Sequence, residues 1–298
     1  MRKIIDDAFI AMLETRDLNV HSALNGLFGG NRRTVKHGSS AEFADYQEYV
    51  PGDDLRRIDW NLYARFEKLY IKLFVDERQL HHRIYVDCSA SMDWGDPHKG
   101  ETALRIAAAL GYLAVQSMDR ASIIRVSDDV CEDISGPVMG KERFYEAADK
   151  LNSTVFRGGS EIGAAISKEE NVGNGDGMSV IISDFLTESD WKSGAEYLRY
   201  RNREVALIQV LSPEEMEPMT MGKMMLLDSE SAGPDDSRNK RMEITRDTLK
   251  AYGMALAYHQ EELSSYCRTR GIPFVTVSTD ESIEHMLFMK STESGIIL

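Results

Sequence analysis

From residue 83 onward, short apolar runs alternate with stretches of helical period, and this alternation constrains the fold more than any other feature. The runs are RIYVD (83–87), ASIIRVSDD (121–129), MSVIISDF (178–185), EVALIQVLS (204–212) and IPFVTVSTD (272–280). Between them, residues 101–118, 141–153, 160–170, 189–201 and 246–270 carry apolar residues at helical spacing. Strands this apolar, each feeding a helix, build a parallel sheet covered on both faces. The expected fold is therefore α/β, a doubly wound, mainly parallel sheet over residues 80–290, with CEDISG (131–136) as a candidate edge strand.

Two regions fall outside the alternation. Within 213–245, KMMLLD and RMEIT can pair as a hairpin around the polar tip SESAGPDDSRNK, giving a β insert near the C-terminal end of the domain. Residues 1–79 form an N-terminal region expected to pack on the main domain. It opens with a helix at 2–15 that gathers Ile4, Ile5, Phe9, Met12 and Leu13 on one face. A Gly- and base-rich loop follows (25–40), then a PGDD turn and KLYIKLFVDE, which alternates like a half-exposed strand.

A net charge of −14 over 298 residues argues against a general binder of nucleic acid or anionic membrane, both of which need a dominant basic field. Cys88, Cys131 and Cys267 are odd in number and form no CxxC pair, which fits structural thiols in a reducing compartment. The N-terminal stretch lacks the apolar core of a secretion signal, and ALRIAAALGYLAV is too short to cross a bilayer. A cytoplasmic location and no membrane insertion are expected.

The chemistry is concentrated where strands end. In YVDCSASMDWG (85–95), Asp87, Ser89 and Ser91 occupy alternate positions directly behind a strand. That spacing alone reads equally as a polar turn or as half of a metal cup. In doubly wound sheets, ligands sit beyond the carboxyl ends of strands, where strand order reverses. Two further ends carry hard oxygens: Ser160 in RGGSEIG and Asp184 in VIISDF. Together the set offers three hydroxyls and two carboxylates, which suits Mg²⁺, a cation that takes about six oxygens and usually keeps waters. Two carboxylates do not over-neutralise a dication, so it can still attract a partner's acid. Mn²⁺ and Ca²⁺ are open alternatives, and the site is expected to be a surface cup outside the core.

The pattern resembles the von Willebrand factor type A fold with its metal-ion-dependent adhesion site. By that resemblance Ser89 and Ser91 are direct ligands, Asp87 and Asp184 bind directly or through water, and Ser160 stands where the family has Thr. A second signature precedes it: Tyr49, Gly52, Asp53, Asp54, Arg56, Ile58, Asp59 and Trp60, then Ala64 and Arg65. This block resembles the bacterial domain-of-unknown-function family numbered fifty-eight, and the likeness covers roughly residues 25–290. Gln47 departs from it, standing where a basic residue is expected. The resemblance implies a non-enzymatic, Mg²⁺-dependent protein-interaction module that partners a MoxR-type AAA+ ATPase or its client.

Other features have plainer readings. The alternating acids and arginines of the PGDD–RIDW block suit a structural hairpin with Trp60 as its anchor. Arg32, Arg33 and Lys36 read as a solvated loop, and His81-His82 have no carboxylate or Cys at metal-ligand spacing. The rival functional class is a metal-dependent phosphatase or hydrolase using the same acidic strand ends. The haloacid dehalogenase type wants Asp-x-Asp where this chain has Asp87-x-Ser89, and no GxxxxGK[ST] loop is present.

Overall fold

The structure is a computed structural model that describes residues 3–15, 33–34, 42–51, 55–77, 79–173, 177–218, 222–226, 240–283 and 285. The chain divides into two units, residues 31–79 and the remainder, so the N-terminal helix clusters with the sheet domain and not with the hairpin region. That helix, α1 (Asp7–Thr15), buries Phe9 and Leu13, with Ile4 and Ile5 just ahead of it, in the main core.

The smaller unit is a three-stranded antiparallel arrangement of β1 (Arg33–Thr34), β2 (Glu42–Glu48) and β3 (Tyr70–Glu77), in the order β1-β3-β2. Between β2 and β3 lies a short helix, α2 (Trp60–Phe66), where the sequence suggested only hairpin. Asp59 explains it. Its carboxylate accepts from the backbone N–H of Asn61 and Leu62 and so caps the helix start. The Tyr46 hydroxyl donates to the other carboxylate oxygen at 3.1 Å. Trp60, expected to be the buried anchor, is 62 % exposed at the first helical position and meets Tyr63 edge-on. Gly52, Asp53 and Asp54 of the turn, and the basic loop with Arg32 and Lys36, lie outside the described residues.

The larger unit is built on a six-stranded sheet. Its elements in chain order are β4 (His81–Asp87), α3 (Lys99–Gln116), β5 (Arg120–Ser127), β6 (Val130–Asp133), α4 (Lys141–Leu151), α5 (Ile162–Ser167), β7 (Met178–Ser183) and α6 (Trp191–Tyr200). There follow β8 (Glu204–Leu211), α7 (Pro213–Met216), the hairpin β9 (Gly222–Leu226) and β10 (Lys240–Ile244), α8 (Arg246–Arg270) and β11 (Phe274–Ser278). Strand order is β6-β5-β4-β7-β8-β11, with every neighbour parallel except β6, which runs antiparallel to β5. Counted from β4, this is the order 3-2-1-4-5-6 of a doubly wound sheet.

Side-chain alternation divides the core. Ile84 and Val86 of β4 face one cluster with α1, α3 and α4, while Tyr85 faces the other with α5, α6 and α8. The expected pairing of RIYVD with SVIISD holds, with Ile84 opposite Val180 and Val86 opposite Ile182. The hairpin of the insert also forms, Met242 opposite Met224, although most of its tip (227–239) lies outside the described residues. Among the described residues no helix is long and apolar enough to cross a membrane.

Candidate metal centre

Strand order reverses between β4 and β7, and their carboxyl ends carry Asp87 and Asp184. Asp87 is the last residue of β4, and its carboxylate organises the site. Oδ1 accepts the Ser89 N–H at 2.9 Å, and Oδ2 accepts the hydroxyls of Ser160 at 2.9 Å and Ser183 at 2.6 Å. The Ser89 and Ser91 hydroxyls lie 3.1 Å apart, so the two lone-pair-bearing oxygens stand side by side. Burial first, and the neighbouring Asp184 carboxylate second, push the Asp87 carboxyl above its ordinary value. Asp184 itself is held through Oδ1 by the Leu186 N–H at 3.0 Å, and Gln209 Nε2 donates to its backbone carbonyl at 2.9 Å.

Ser160 reaches Asp87 because its segment is bonded to three strand ends. Arg157 N–H donates to the Cys88 carbonyl and Ala90 N–H to the Gly158 carbonyl, beside β4. At the end of β5, the Ser127 hydroxyl donates to the Arg157 carbonyl, and Asp128 exchanges two bonds with Gly159. Beyond β7, the hydroxyls of Thr187 (3.2 Å) and Ser189 (2.5 Å) both donate to the Ser160 carbonyl. Gly158 has φ +84°, and a Cβ there would lie 2.6 Å from the Asp128 carboxylate, so this turn requires glycine.

The structure thus gathers all five residues singled out from the sequence: Asp87, Ser89, Ser91, Ser160 and Asp184. It differs from the expected surface cup in depth. Asp87, Ser89 and Asp184 are each at most 1 % exposed and Ser160 is 4 %, leaving Ser91 half-buried at the mouth. The reason is that Asp87 ends β4, Asp184 directly follows β7, and the segment 157–160 is bonded across them. Sequence reasoning missed Ser183, whose adjacency to Asp184 was the available signal, and Asp128, which sits in the SDD run opposite Gly-Gly. It also missed Lys99 and Glu215: the Lys99 ammonium contacts Asp184 Oδ2 at 2.8 Å and Glu215 Oε1 at 2.6 Å.

Two observations test whether the residues suit a metal. Two adjacent carboxylates raise the cost of charge on Asp87, which a cation would relieve, and the surrounding donors are hydroxyl oxygens, the ligands of Mg²⁺ and Ca²⁺. Among the described residues no group of three His, Cys, Asp or Glu side chains that could hold a metal is found, so a cation here would rest on the hydroxyls of Ser89, Ser91 and Ser160 beside the Asp87 and Asp184 carboxylates. The residues fit.

A family profile described as "Protein of unknown function DUF58" matches residues 45–278. The chain belongs to this family. An uncharacterized protein of Mycobacterium tuberculosis is 27 % identical to the DUF58 chain over 289 residues, covering 94 % of this chain and 88 % of the relative. Among solved structures, BatB from Bacteroides thetaiotaomicron aligns with a TM-score of 0.42 at 16 % identity, over 72 % of this chain and 98 % of that one. The SpRpn10 VWA domain aligns with a TM-score of 0.39 at 11 % identity, over 70 % and 94 % of the two chains. The DUF58 chain has a doubly wound α/β fold, with the strand order and antiparallel edge strand described above.

Proposed function

We propose that this protein is a non-enzymatic interaction module whose switch point binds Mg²⁺, with Mn²⁺ or Ca²⁺ as alternatives, and through it an acidic side chain of a protein partner. The observation that carries this reading is the convergence of two hydroxyls (Ser160 and Ser183) and the Ser89 backbone N–H on Asp87, beside a second carboxylate, at the reversal of strand order. Asp87, Ser89, Ser91, Ser160 and Asp184 would hold the cation. When bound, the metal supplies a local positive focus for an incoming carboxylate on a chain whose net charge of −14 otherwise repels acids. The residues orient and bury the base of the site and leave Ser91 accessible at its mouth. The partner proposed is a MoxR-type AAA+ ATPase or its client, in the cytoplasm.

The test is co-purification with a MoxR-type ATPase in Mg²⁺ and in EDTA, for wild type and Ser89→Ala, beside a phosphatase and nucleotidase screen of the isolated chain. Binding lost in EDTA and in the variant is the expected result. Binding that survives both, or metal-dependent turnover by the chain alone, overturns it in favour of a partner surface elsewhere or of the hydrolase reading.

A further inference from the structure

A lysine in the first turn of a helix ordinarily reaches water. Lys99 opens α3 and is 1 % exposed, among the largest fully buried side chains of the described residues. Its ammonium bridges Asp184 Oδ2 (2.8 Å) and Glu215 Oε1 (2.6 Å). Burial works against its charge, but Asp184 and Glu215 together outweigh burial and hold the ammonium above its ordinary value. A buried ion set of this kind is costly unless each charge is met, and here each is.

We propose that Lys99 is the resident counter-ion of the switch point: it holds Asp184 in its metal-binding orientation before any dication arrives and sets the divalent-cation affinity by repulsion. This rests on the reading of the site as a metal centre. The Asp184 carboxylate is pinned at both oxygens, Oδ1 by the Leu186 N–H and Oδ2 by Lys99, and each oxygen keeps a lone pair to spare. A dication and the ammonium therefore share one carboxylate without either being displaced. Two cations on one buried carboxylate repel in a medium of low effective dielectric, so the lysine lowers metal affinity. Asp184 and Glu215 against one ammonium still leave net negative charge, beside the Asp87 carboxyl, to attract a dication.

Glu215 moderates this balance. It is the third residue of α7, where its carboxylate accepts the Ser212 N–H while its own N–H donates to the Ser212 hydroxyl, a reciprocal cap. The Tyr252 hydroxyl of α8 donates to its backbone carbonyl at 2.7 Å. The counter-ion is thereby tied to the element that opens the β insert, and loss of the Glu215 charge would leave Lys99 to act on Asp184 alone.

The two partners give variants of opposite sign. Mg²⁺ is titrated calorimetrically at pH 8 and low salt into wild type, Lys99→Met, Glu215→Gln and Asp87→Asn, and each protein is melted with and without Mg²⁺. Lys99→Met is expected to bind Mg²⁺ at least about tenfold tighter, to melt lower than wild type without metal, and to gain more from metal. Glu215→Gln is expected to bind severalfold weaker. Unchanged affinity in both variants, or weaker binding by Lys99→Met, overturns the proposal while leaving the metal site standing. If Lys99→Met does not fold, Glu215→Gln decides, and unchanged affinity there overturns the proposal. Wild-type binding that does not depend on Asp87 sinks the metal-centre reading, and this proposal with it.

Discussion

The two ends of the main sheet bury charge in opposite ways. At the amino ends of the strands two buried arginines are locked onto backbone, hydroxyl and carboxylate oxygens, and the buried Asp119 is paired with His82. Arg203 donates to Ser179 Oγ at 2.7 Å, to the Met178 carbonyl at 3.0 Å and to the His81 carbonyl, and Arg83 pairs with Glu169 and donates to the Tyr85 hydroxyl. At the carboxyl ends the buried groups are mainly acids held by hydroxyls, with Lys99 as their cation. Guanidinium bonds to carbonyls are fixed in direction and offer nothing to an incoming ion. Hydroxyls rotate, and they can turn their lone pairs toward a cation without leaving place.

The sharpest way to break this contrast is to remove the lock. Arg203→Leu orphans several buried acceptors at once and is expected to cost about 3 kcal/mol or more of stability, read by urea unfolding, with no change in Mg²⁺ affinity. Asp87→Asn is the converse. It keeps side-chain size and an acceptor but removes a charge whose burial is unfavourable, so metal-free stability should change by less than about 1 kcal/mol. Mg²⁺ affinity should fall about a hundredfold by calorimetry, since ligand charge sets affinity in such sites. A large stability loss in this variant would mean that the acidic end is structural too.

Gly158→Ala is smaller. The left-handed backbone and the clash with Asp128 should cost about 1–2 kcal/mol, and displacement of Ser160 should weaken Mg²⁺ severalfold. The smallest effect lies at the amino ends. His81 is held down to about 4, first by burial and then by Arg83, Arg203, His82 and Arg120. A histidine held below its ordinary 6.5 binds its proton more weakly folded than unfolded, so its contribution is complete above pH 6.5 and is lost as pH falls toward 4. His81→Gln should flatten stability across that window in melts, and an NMR titration should place the ring's midpoint near 4.

How much of this was legible in sequence depended on how local the cause was. The long helix α8 begins and ends at 246 and 270 as the periodicity indicated, because twenty-five residues of pattern close on a capping Gly271. The strand ends that carry Asp87 and Asp184 were equally plain. Helix α2 was not, since seven residues give too little period to read and its decisive feature is one Asp59 cap. Lys99 was hidden for a different reason. It lies on the same stripe as Ala103, Ile106 and Leu110, but a lysine normally marks the wet face, and the partner that makes its burial tolerable is Glu215, 116 residues away.

The segment Arg157–Ser160 acts mechanically as a tie-bar. It is fastened to the ends of β4, β5 and β7, and so it spans the seam where the two halves of the sheet diverge. The seam cannot open without releasing several of these bonds together, so the loops that carry the oxygens are ordered when the chain folds. A ligand arriving there does not have to freeze them a second time, and affinity is not spent on gathering the site.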